Sequence, residues 1–320
     1  MKKILITGAM GQLGSELTTV LRDHYGANNV IGTDIRRPEE GSPLLEGPYE
    51  LLDVLDGQKM AEIVKNEKVD TIIHLAALLS ATAERNPKFA WDINMGGLVN
   101  ALEVARENNT SFFTPSSIGA FGPSTPKKDT PQDTIQRPTT IYGVTKVAGE
   151  LLCDYYFQKF GVDTRGVRFP GLIGYVTPPG GGTTDYAVDI YYDALKKGSY
   201  ESYIDKGTFM DMMYMPDALN AIIQLMEADP KKLIHRNAFN ISAMSFDPEM
   251  IAAEIKKHIP EFTMTYQVDP VRQGIANNWP DNIDFTAAIE EWGFKTEYDL
   301  AAMTKDMLEK LRIKLNIKDR

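Results

Sequence analysis

The stretch Ile4-Leu5-Ile6-Thr7-Gly8-Ala9-Met10-Gly11-Gln12-Leu13-Gly14 decides the fold. An apolar run with strand character ends in a glycine-rich turn, and a helical pattern begins directly after it. Backbone N–H groups and the positive end of a helix dipole together bind the pyrophosphate of a dinucleotide. In this interpretation Gly8 permits the tight turn, Gly11 lets the backbone approach the phosphates, and Gly14 lets the helix pack on the strand.

The glycine spacing is G-x-x-G-x-x-G, not the G-x-G-x-x-G of most dinucleotide-binding folds. Asp34 lies twenty residues beyond Gly14, at the end of a second apolar run. A carboxylate there suits the ribose diol of adenosine and repels a 2′-phosphate, which favours NAD over NADP. Arg36 and Arg37 argue the other way, because an arginine can receive that phosphate. The alternative for the glycine stretch is a tight turn without a ligand.

Size and composition limit the class of protein. The chain has 320 residues and 43% apolar content, enough for one large α/β domain or a domain with a smaller lobe. The net charge of −10 argues against nucleic acid or an anionic membrane as a partner. The single cysteine, Cys153, excludes an internal disulfide and predicts a cytoplasmic location.

Targeting, membrane and metal signals are weak. Two lysines and an apolar run open the chain as in a signal peptide, but that run ends at Gly8 and is too short for one. No stretch approaches the ~18 uninterrupted apolar residues of a membrane span. The four histidines and Cys153 lie far apart, without zinc spacing. We therefore predict neither a membrane segment nor a metal site.

Strand-like and helix-like segments alternate through the first half of the chain. This alternation predicts right-handed βαβ crossovers, and hence an α/β fold with a doubly wound parallel sheet of the Rossmann type. Ligands of such sheets bind beyond the carboxyl ends of the strands. The predicted strands are 4–7, 30–34, 49–54, 71–77, 111–116 and 164–169, and the clearest helices are 91–106 and 140–160.

After Pro170 the pattern loosens. We expect residues 1–169, completed by about 205–243, to form the NAD-binding domain. Residues 170–204 and 244–320 are expected to form a small, mainly C-terminal substrate-binding lobe over the cleft. The later predicted strands are 212–215, 239–242 and 263–268, and the later helices are 217–227, 248–258 and 298–311.

A tyrosine and a lysine four residues apart lie on one face of a helix. A lysine ammonium stabilises a phenolate, so a tyrosine of reference pKa about 10 can act as a base nearer neutrality. Three such pairs occur in the chain, and only the first, Tyr142/Lys146, lies at the start of its predicted helix. It also follows a strand that ends in serines, whose hydroxyls can hold a substrate oxygen. The alternative for that first tyrosine is a packing residue. The three pairs are Tyr142/Lys146, Tyr155/Lys159 and Tyr192/Lys196.

Several motifs together resemble the extended short-chain dehydrogenase/reductase superfamily, over nearly the whole chain. They are TGAMGQLG, Asp34, Asp53-Val54, HLAA at 74–77, PSSIGAFG at 115–122 and YGVTK at 142–146. The resemblance implies a catalytic triad of Ser117, Tyr142 and Lys146. Ser117 rather than Ser116 follows from its place four residues before the aromatic of the S-x-x-x-[YF]-G motif.

The resemblance also implies the cofactor site. Asp53 meets the adenine, and the strand end at 75–77 lines the cofactor. Asn94 matches a position that supports the lysine through water, the alternative being an ordinary helix-surface asparagine. The complete set is Gly8, Gly11, Gln12, Leu13, Asp34, Asp53, Val54, Leu75, Ala76, Ala77, Asn94, Tyr142, Lys146 and Leu172.

Within the superfamily, the run after the sixth strand helps to indicate the substrate class. Many extended members act on nucleotide sugars and carry Arg-Phe-Asn there, whereas this chain has Arg168-Phe169-Pro170. Proline removes the amide side chain and a backbone donor, which argues against a nucleotide sugar. The stretches 177–198, 212–222 and 277–294 instead resemble the short-chain, zinc-independent type of L-threonine 3-dehydrogenase.

That second resemblance implies oxidation of the L-threonine β-hydroxyl to L-2-amino-3-oxobutyrate with reduction of NAD⁺, a step of threonine catabolism. The substrate-binding residues implied are Ser80, Ser117, Tyr142, Thr184 and Trp279. The alternatives are a loop hydroxyl for Ser80, a helix N-cap for Thr184 and a core residue for Trp279.

Two other functions stay open, a nucleotide-sugar epimerase or dehydratase of the same superfamily and a non-catalytic NAD(P)-sensing protein. Superfamily members commonly pair through two helices of each subunit, so we also expect a homodimer through 91–106 and 140–160. The helix 140–160 carries more apolar residues than one buried face requires.

Overall fold

The first strand lies at the centre of the main sheet because its side chains alternate between two apolar layers. In the computed structural model, which describes residues 1–178 and 180–317, Ile4, Leu5 and Ile6 are all fully buried. Ile4 and Ile6 belong to one core cluster, and Leu5 belongs to the cluster on the opposite face. Both faces of this sheet are therefore covered, as parallel sheets require.

Over the described residues the main sheet contains six parallel strands in the order β3-β2-β1-β4-β5-β7. The order reverses between β1 and β4, which places a ligand crevice at their carboxyl ends. The strands are β1 (Ile4–Thr7), β2 (Val30–Asp34), β3 (Tyr49–Leu51), β4 (Thr71–His74), β5 (Ser111–Phe113) and β7 (Thr164–Arg165).

Helices cover both faces of this sheet, which confirms the predicted doubly wound α/β fold. On one face α1 (Gln12–Tyr25) and α7 (Met215–Glu227) contribute to the cluster that contains Ile4 and Ile6. On the other face, three helices contribute to the cluster that contains Leu5: α2 (Gly57–Glu67), α4 (Pro87–Asn108) and α5 (Ile141–Phe160). The short helix α3 (Ser80–Arg85) follows β4 across the crevice.

Three smaller strand groups extend the fold toward the second half of the chain. β8 (Val167–Phe169) pairs with β6 (Ser116–Ser117) and β12 (Phe239–Asn240). β11 (Met210–Tyr214) pairs with β9 (Gly171–Ile173) and, antiparallel, with β13 (Met244–Phe246). β10 (Ser199–Ser202) pairs with β14 (Thr263–Tyr266).

Four of the remaining helices build a separate apolar cluster beside the crevice. Its buried members include Tyr186, Tyr214, Phe246, Trp279 and Met307. The helices are α6 (Tyr186–Lys197), α8 (Pro248–Lys256), α9 (Pro270–Ala276) and α11 (Leu300–Lys314), whereas α10 (Thr286–Trp292) joins the cluster of Ile4 and Ile6 through Ala288.

Several element boundaries differ from the sequence prediction. The segment predicted as one strand at 111–116 divides into β5 and β6, and Pro115, which lacks an N–H donor, lies between them. α4 begins at Pro87 instead of residue 91, because Asn86 caps the Phe89 N–H and proline is favoured at a first helical position. Within the described ranges, no helix has both the length and the apolar character needed to cross a bilayer.

Candidate active site

The glycine-rich turn between β1 and α1 has the backbone geometry that its sequence predicts. Gly8 has φ +74°, and a Cβ there would lie 2.8 Å from the Ala76 nitrogen. A Cβ on Gly14 would lie 2.2 Å from the Gly8 carbonyl oxygen, so Gly14 packs the helix against the turn rather than against the strand. Gly8, Gly11 and Gly14 therefore each occupy a position that a larger residue would disturb.

The start of α1 is suited to an anion. Its first turn contains no acidic residue, and Gly8, Gly11, Gln12 and Leu13 line the crevice. The side-chain amide nitrogen of Gln12 is buried and, in the described part of the chain, has no hydrogen-bond partner. A dinucleotide pyrophosphate would satisfy these donors, so the residues present fit this cofactor.

Asp34, at the end of β2, is nearly buried and faces the same turn. Its Oδ2 accepts a hydrogen bond from the Met10 N–H (3.2 Å), and its Oδ1 accepts one from the Arg36 N–H (3.1 Å). The Arg36 guanidinium also lies on this carboxylate, so its charge is partly neutralised.

The predicted adenine-side residues lie on the loop after β3. Asp53 is exposed, and its Oδ1 accepts a hydrogen bond from the Leu55 N–H (2.9 Å). Val54 is buried against Gly97, where a Cβ would come within 2.6 Å of the valine side chain. The Asn100 amide donates to the Val54 and Leu55 carbonyl oxygens (both 3.0 Å), a supporting contact that the sequence analysis missed.

The end of β4 forms the floor of the crevice. Leu75 and Ala77 line it, whereas Ala76 faces Gly8. His74 is buried, and its Nδ1 lies 2.9 Å from the Thr7 hydroxyl. Burial, and then the nearby charge of Lys146, lower the pKa of His74 to about 3, so the ring is neutral and structural.

Asn94 is buried in α4, so the alternative of a helix-surface asparagine is wrong. Its Oδ1 accepts a hydrogen bond from the Leu78 N–H (2.7 Å), and its Nδ2 donates to the Leu78 carbonyl (3.2 Å) and the Thr145 hydroxyl (3.3 Å). The carboxamide thus fixes the loop after β4 to the helix that carries Lys146.

Ser117, Tyr142 and Lys146 line one crevice. The Lys146 ammonium lies 5.4 Å from the centroid of the Tyr142 ring and donates to the Pro115 carbonyl (2.6 Å). Gly119 lies between the two hydroxyl residues, since a Cβ there would meet the Tyr142 ring at 3.1 Å and the Ser117 Oγ at 3.4 Å. The structure therefore brings these three side chains together.

The neighbouring candidates are engaged elsewhere. The Ser116 hydroxyl donates to the Glu150 carboxylate, which also pairs with Arg168. Tyr155 is exposed on α5, and the Tyr192 hydroxyl donates to the Tyr175 carbonyl (3.2 Å). These contacts distinguish Ser117 from Ser116 and the first Tyr/Lys pair from the other two.

The opposite wall of the crevice comes from the second half of the chain. The space encloses about 1080 Å³, including its opening to solvent. Leu172 and the predicted substrate residues Ser80, Thr184 and Trp279 all line it. Trp279 also belongs to the apolar cluster of this region. It is therefore both a core residue, as the alternative predicted, and a residue that lines the crevice.

Two of the alternatives for these residues are wrong. Ser80 is not a loop hydroxyl, because it is the first residue of α3 and is buried. Thr184 does not cap a helix starting at 185, because it lies within a 3₁₀ turn at Thr183–Asp185 and α6 starts at Tyr186.

Asp185 is a crevice residue that the sequence analysis missed. Its Oδ2 accepts hydrogen bonds from the Gly181 and Gly182 N–H groups (2.7 and 2.6 Å). Burial raises its pKa, and these two hydrogen bonds oppose the shift. The run Gly-Gly-Gly-Thr-Thr-Asp is evident in the sequence. Which of its side chains accepts the glycine N–H groups depends on the geometry of the turn.

A second, narrower recess lies behind Lys146. Besides that lysine, its lining includes His74, Glu150 and Cys153. Burial raises the pKa of the Cys153 thiol well above its usual range, so this cysteine is not a thiolate nucleophile. Within residues 1–178 and 180–317, no group of three or more His, Cys, Asp or Glu residues is arranged to hold a metal ion.

The fold and this crevice define a nicotinamide-dependent enzyme, and comparison with known proteins identifies its family. Residues 4–242 match the model of the NAD dependent epimerase/dehydratase family. The chain belongs to this family, which confirms the extended short-chain dehydrogenase/reductase assignment. Membership implies a nicotinamide cofactor and a small-molecule substrate.

Individual relatives narrow the comparison. An uncharacterized epimerase/dehydratase of Staphylococcus saprophyticus is 66% identical over 309 residues, 97% of each chain. The solved L-threonine dehydrogenase of Clostridium difficile is 66% identical with a TM-score of 0.96 over 98% of both chains. A monomeric L-threonine 3-dehydrogenase from a metagenome is 43% identical, with a TM-score of 0.93 over 98% of this chain and 99% of that one.

Proposed function

We propose that this protein is an NAD-dependent L-threonine 3-dehydrogenase that oxidises the threonine β-hydroxyl to L-2-amino-3-oxobutyrate. One observation carries the proposal: Ser117, Tyr142 and Lys146 line the same crevice as the glycine turn and the pocket residues Ser80, Thr184 and Trp279. The 66% identity to a solved L-threonine dehydrogenase supports the choice of substrate.

In the proposed domain arrangement, residues 1–169 with about 205–243 hold the cofactor. Residues 170–204 and 244–320 supply Thr184 and Trp279 to the substrate pocket. The cofactor set is the one predicted from the sequence, and the nicotinamide, when bound, supplies the hydride acceptor. Substrate binding and proton transfer are carried out by side chains of this protein.

The Oη of Tyr142 accepts the proton of the threonine β-hydroxyl, and the Ser117 Oγ donates a hydrogen bond to the β-oxygen of the substrate. The Lys146 ammonium stabilises the phenolate form of Tyr142, which becomes a neutral phenol on accepting the proton, and it donates to the Pro115 carbonyl, which fixes the strand end next to Ser117. Asn94 holds the helix turn around Lys146 through Thr145. These residues remove the proton while the β-carbon loses its hydride.

A small zwitterion also needs donors for its carboxylate. Ser80, Thr184 and Trp279 line the crevice. In this proposal the hydroxyls of Ser80 and Thr184 donate to the carboxylate, and the ring of Trp279 closes the pocket. A nucleotide sugar fits less well, because Pro170 lines the crevice where a side-chain amide would be needed.

The decisive experiment is NADH formation with a panel of L-threonine, L-serine, L-allo-threonine, simple secondary alcohols and nucleotide sugars. L-threonine is expected to be preferred, and serine to be about 10- to 200-fold poorer, because a pocket filled by one methyl discriminates by about 1–3 kcal/mol. L-allo-threonine is expected to fail, since its inverted β-carbon turns the hydrogen away when the hydroxyl stays on Tyr142. A better nucleotide sugar or simple alcohol would overturn the assignment.

Thr184→Ala tests the carboxylate contact. It is expected to raise KM for threonine with little effect on KM for NAD⁺, because the hydroxyl lies on the substrate side of the crevice. An unchanged KM for threonine would exclude Thr184 as a carboxylate ligand.

A further inference from the structure

The helix that carries Tyr142 is held at its first residue by a carboxylate from another element. Glu84 of α3 accepts a hydrogen bond from the backbone N–H of Ile141, at 2.6 Å. That N–H is one of the first four of α5, which have no acceptor within the helix, and a carboxylate is favourable at this end of a helix. Thr140 caps a second of these groups, the Gly143 N–H (3.1 Å). Glu84 thus holds the amide of the residue before Tyr142.

The other end of α3 reaches the substrate side of the crevice. Ser80 is the first residue of α3 and lines the crevice, and Glu84 is four residues further along. Residues spaced by four lie on one face of a helix, about 6 Å apart along its axis. One face of one short helix therefore joins the candidate carboxylate-binding hydroxyl to the start of α5.

Apolar packing reinforces this connection. Ala83 of α3 and Ala90 of α4 are fully buried, and they form one small cluster with Tyr142. Leu78 and Ile141 pack against the cluster. Tyr142 thus shares an apolar cluster with α3, and a shift of α3 would change both the surroundings of the Tyr142 ring and the position of Ser80.

We propose that Glu84 is a positioning residue that sets the distance between Ser80 and Tyr142. The proposal rests on the proposed function, because threonine must place its carboxylate at one of these residues and its β-hydroxyl at the other. The separation of those two groups is fixed by the covalent structure of the amino acid. Glu84 therefore sets the distance between Ser80 and Tyr142 to the separation of the carboxylate and the β-hydroxyl in the substrate, although Glu84 itself does not contact the substrate.

Glu84→Ala removes the hydrogen bond, and Glu84→Gln keeps an acceptor oxygen. Glu84→Ala is expected to lower kcat/KM for threonine by about 10- to 100-fold, mostly through KM, since a misplacement of about 1 Å can cost about 100-fold. KM for NAD⁺ is expected to stay unchanged, and Glu84→Gln to restore most of the threonine KM. Glu84→Asp, whose shorter side chain pulls α3 toward α5, is expected to be intermediate and serves if the alanine variant does not fold.

The matched control is Asp299→Ala. Asp299 is an exposed carboxylate that caps α11 by accepting a hydrogen bond from the Ala302 N–H (2.8 Å), so its loss has a similar local cost far from the crevice. It is expected to leave both KM values unchanged. A threonine KM in the Glu84→Ala and Glu84→Asp variants equal to that of this control would overturn the proposal.

Amide hydrogen exchange separates this proposal from the proposed function. The start of α5 and the α3 segment are expected to exchange faster in Glu84→Ala than in the wild type, without any substrate present. Faster exchange in a protein that does not oxidise threonine would overturn the role of Glu84 in threonine binding together with the proposed function. Threonine oxidation with unchanged exchange and unchanged KM in the variants would overturn the positioning role alone.

Discussion

The Nε of Arg36 lies 3.3 Å from Oδ1 of Asp34, within the loop that faces the glycine turn. The arginine that could receive a 2′-phosphate is thus paired with the carboxylate that would accept hydrogen bonds from a ribose diol. The Met10 N–H holds the other oxygen of this carboxylate, so the pair is fixed against the turn. We therefore expect this pairing to favour NAD over NADP.

We expect a strong preference for NAD⁺ over NADP⁺, and we expect Asp34→Ala to narrow it by about 10- to 100-fold. Removing the carboxylate takes away hydrogen bonds to the ribose and frees Arg36 for a phosphate, and such charged hydrogen bonds contribute about 1.5–3 kcal/mol. The measurement is kcat/KM with each cofactor. The double variant Asp34→Ala/Arg36→Ala should lose the gain with NADP⁺, and equal efficiency of the wild type with both cofactors would refute the prediction.

Tyr142→Phe is expected to reduce kcat by about 100-fold or more while NAD⁺ still binds, because only the proton acceptor is lost and the ring remains. Turnover and cofactor binding would be measured on the same preparation. Tyr155→Phe is the control, since Tyr155 is 51% exposed on α5 and meets only Tyr156 and Phe160 among the ring contacts described. Loss of turnover in Tyr155→Phe but not in Tyr142→Phe would show that the wrong pair was chosen.

We propose a homodimer formed through α4 and α5. Leu151 is 63% exposed on α5, and Tyr155, Phe160 and, on α4, Trp91 are also exposed, which leaves an apolar surface uncovered in one subunit. Leu151→Asp is expected to shift the protein toward monomer in sedimentation at micromolar concentration. Ile313→Asp, on the exposed side of α11, is the control. A monomeric wild type would contradict the proposal, and one solved relative is described as monomeric.

Asp211 predicts a pH dependence of stability. It is 2% exposed, and its Oδ1 accepts a hydrogen bond from the Ser242 hydroxyl (2.6 Å). Burial raises the pKa of this carboxyl from 3.8 to about 7. The folded state therefore retains a proton that the unfolded chain releases, and stability falls as pH rises from about 4 to about 7.

Asp211→Asn removes this titration. Relative to the wild type, the variant is expected to gain about 4 kcal/mol in free energy of unfolding between pH 4 and pH 8, since each unit of pKa shift corresponds to about 1.4 kcal/mol. Chemical denaturation of both proteins at pH 4 and pH 8 gives the change in free energy of unfolding between the two pH values for each protein. The measured quantity is the difference between the change in the variant and the change in the wild type. A difference of zero would mean that Asp211 titrates normally in the folded protein.

Much of this protein was determined by local sequence. The run Ile4–Thr7 followed by glycines defines a strand, a tight turn and a helix start, because positive φ at Gly8 and close packing at Gly14 exclude other residues. Alternation of strands and helices then predicted the doubly wound sheet. The spacing of Tyr142 and Lys146 on one helix turn is likewise local, so the pair could be identified without a structure.

Tertiary structure decided what depends on contacts between distant segments. Asn94 is buried because Leu78 and Thr145 converge on it, and a helical pattern alone does not show which face other elements cover. Ser116 and Ser117 are adjacent in sequence and both line the crevice, but only the fold commits the Ser116 hydroxyl to Glu150, whereas the Ser117 Oγ accepts a hydrogen bond from the Gly119 N–H. The contact of Glu84 with Ile141 joins residues 57 positions apart, and no local pattern specifies such a pairing.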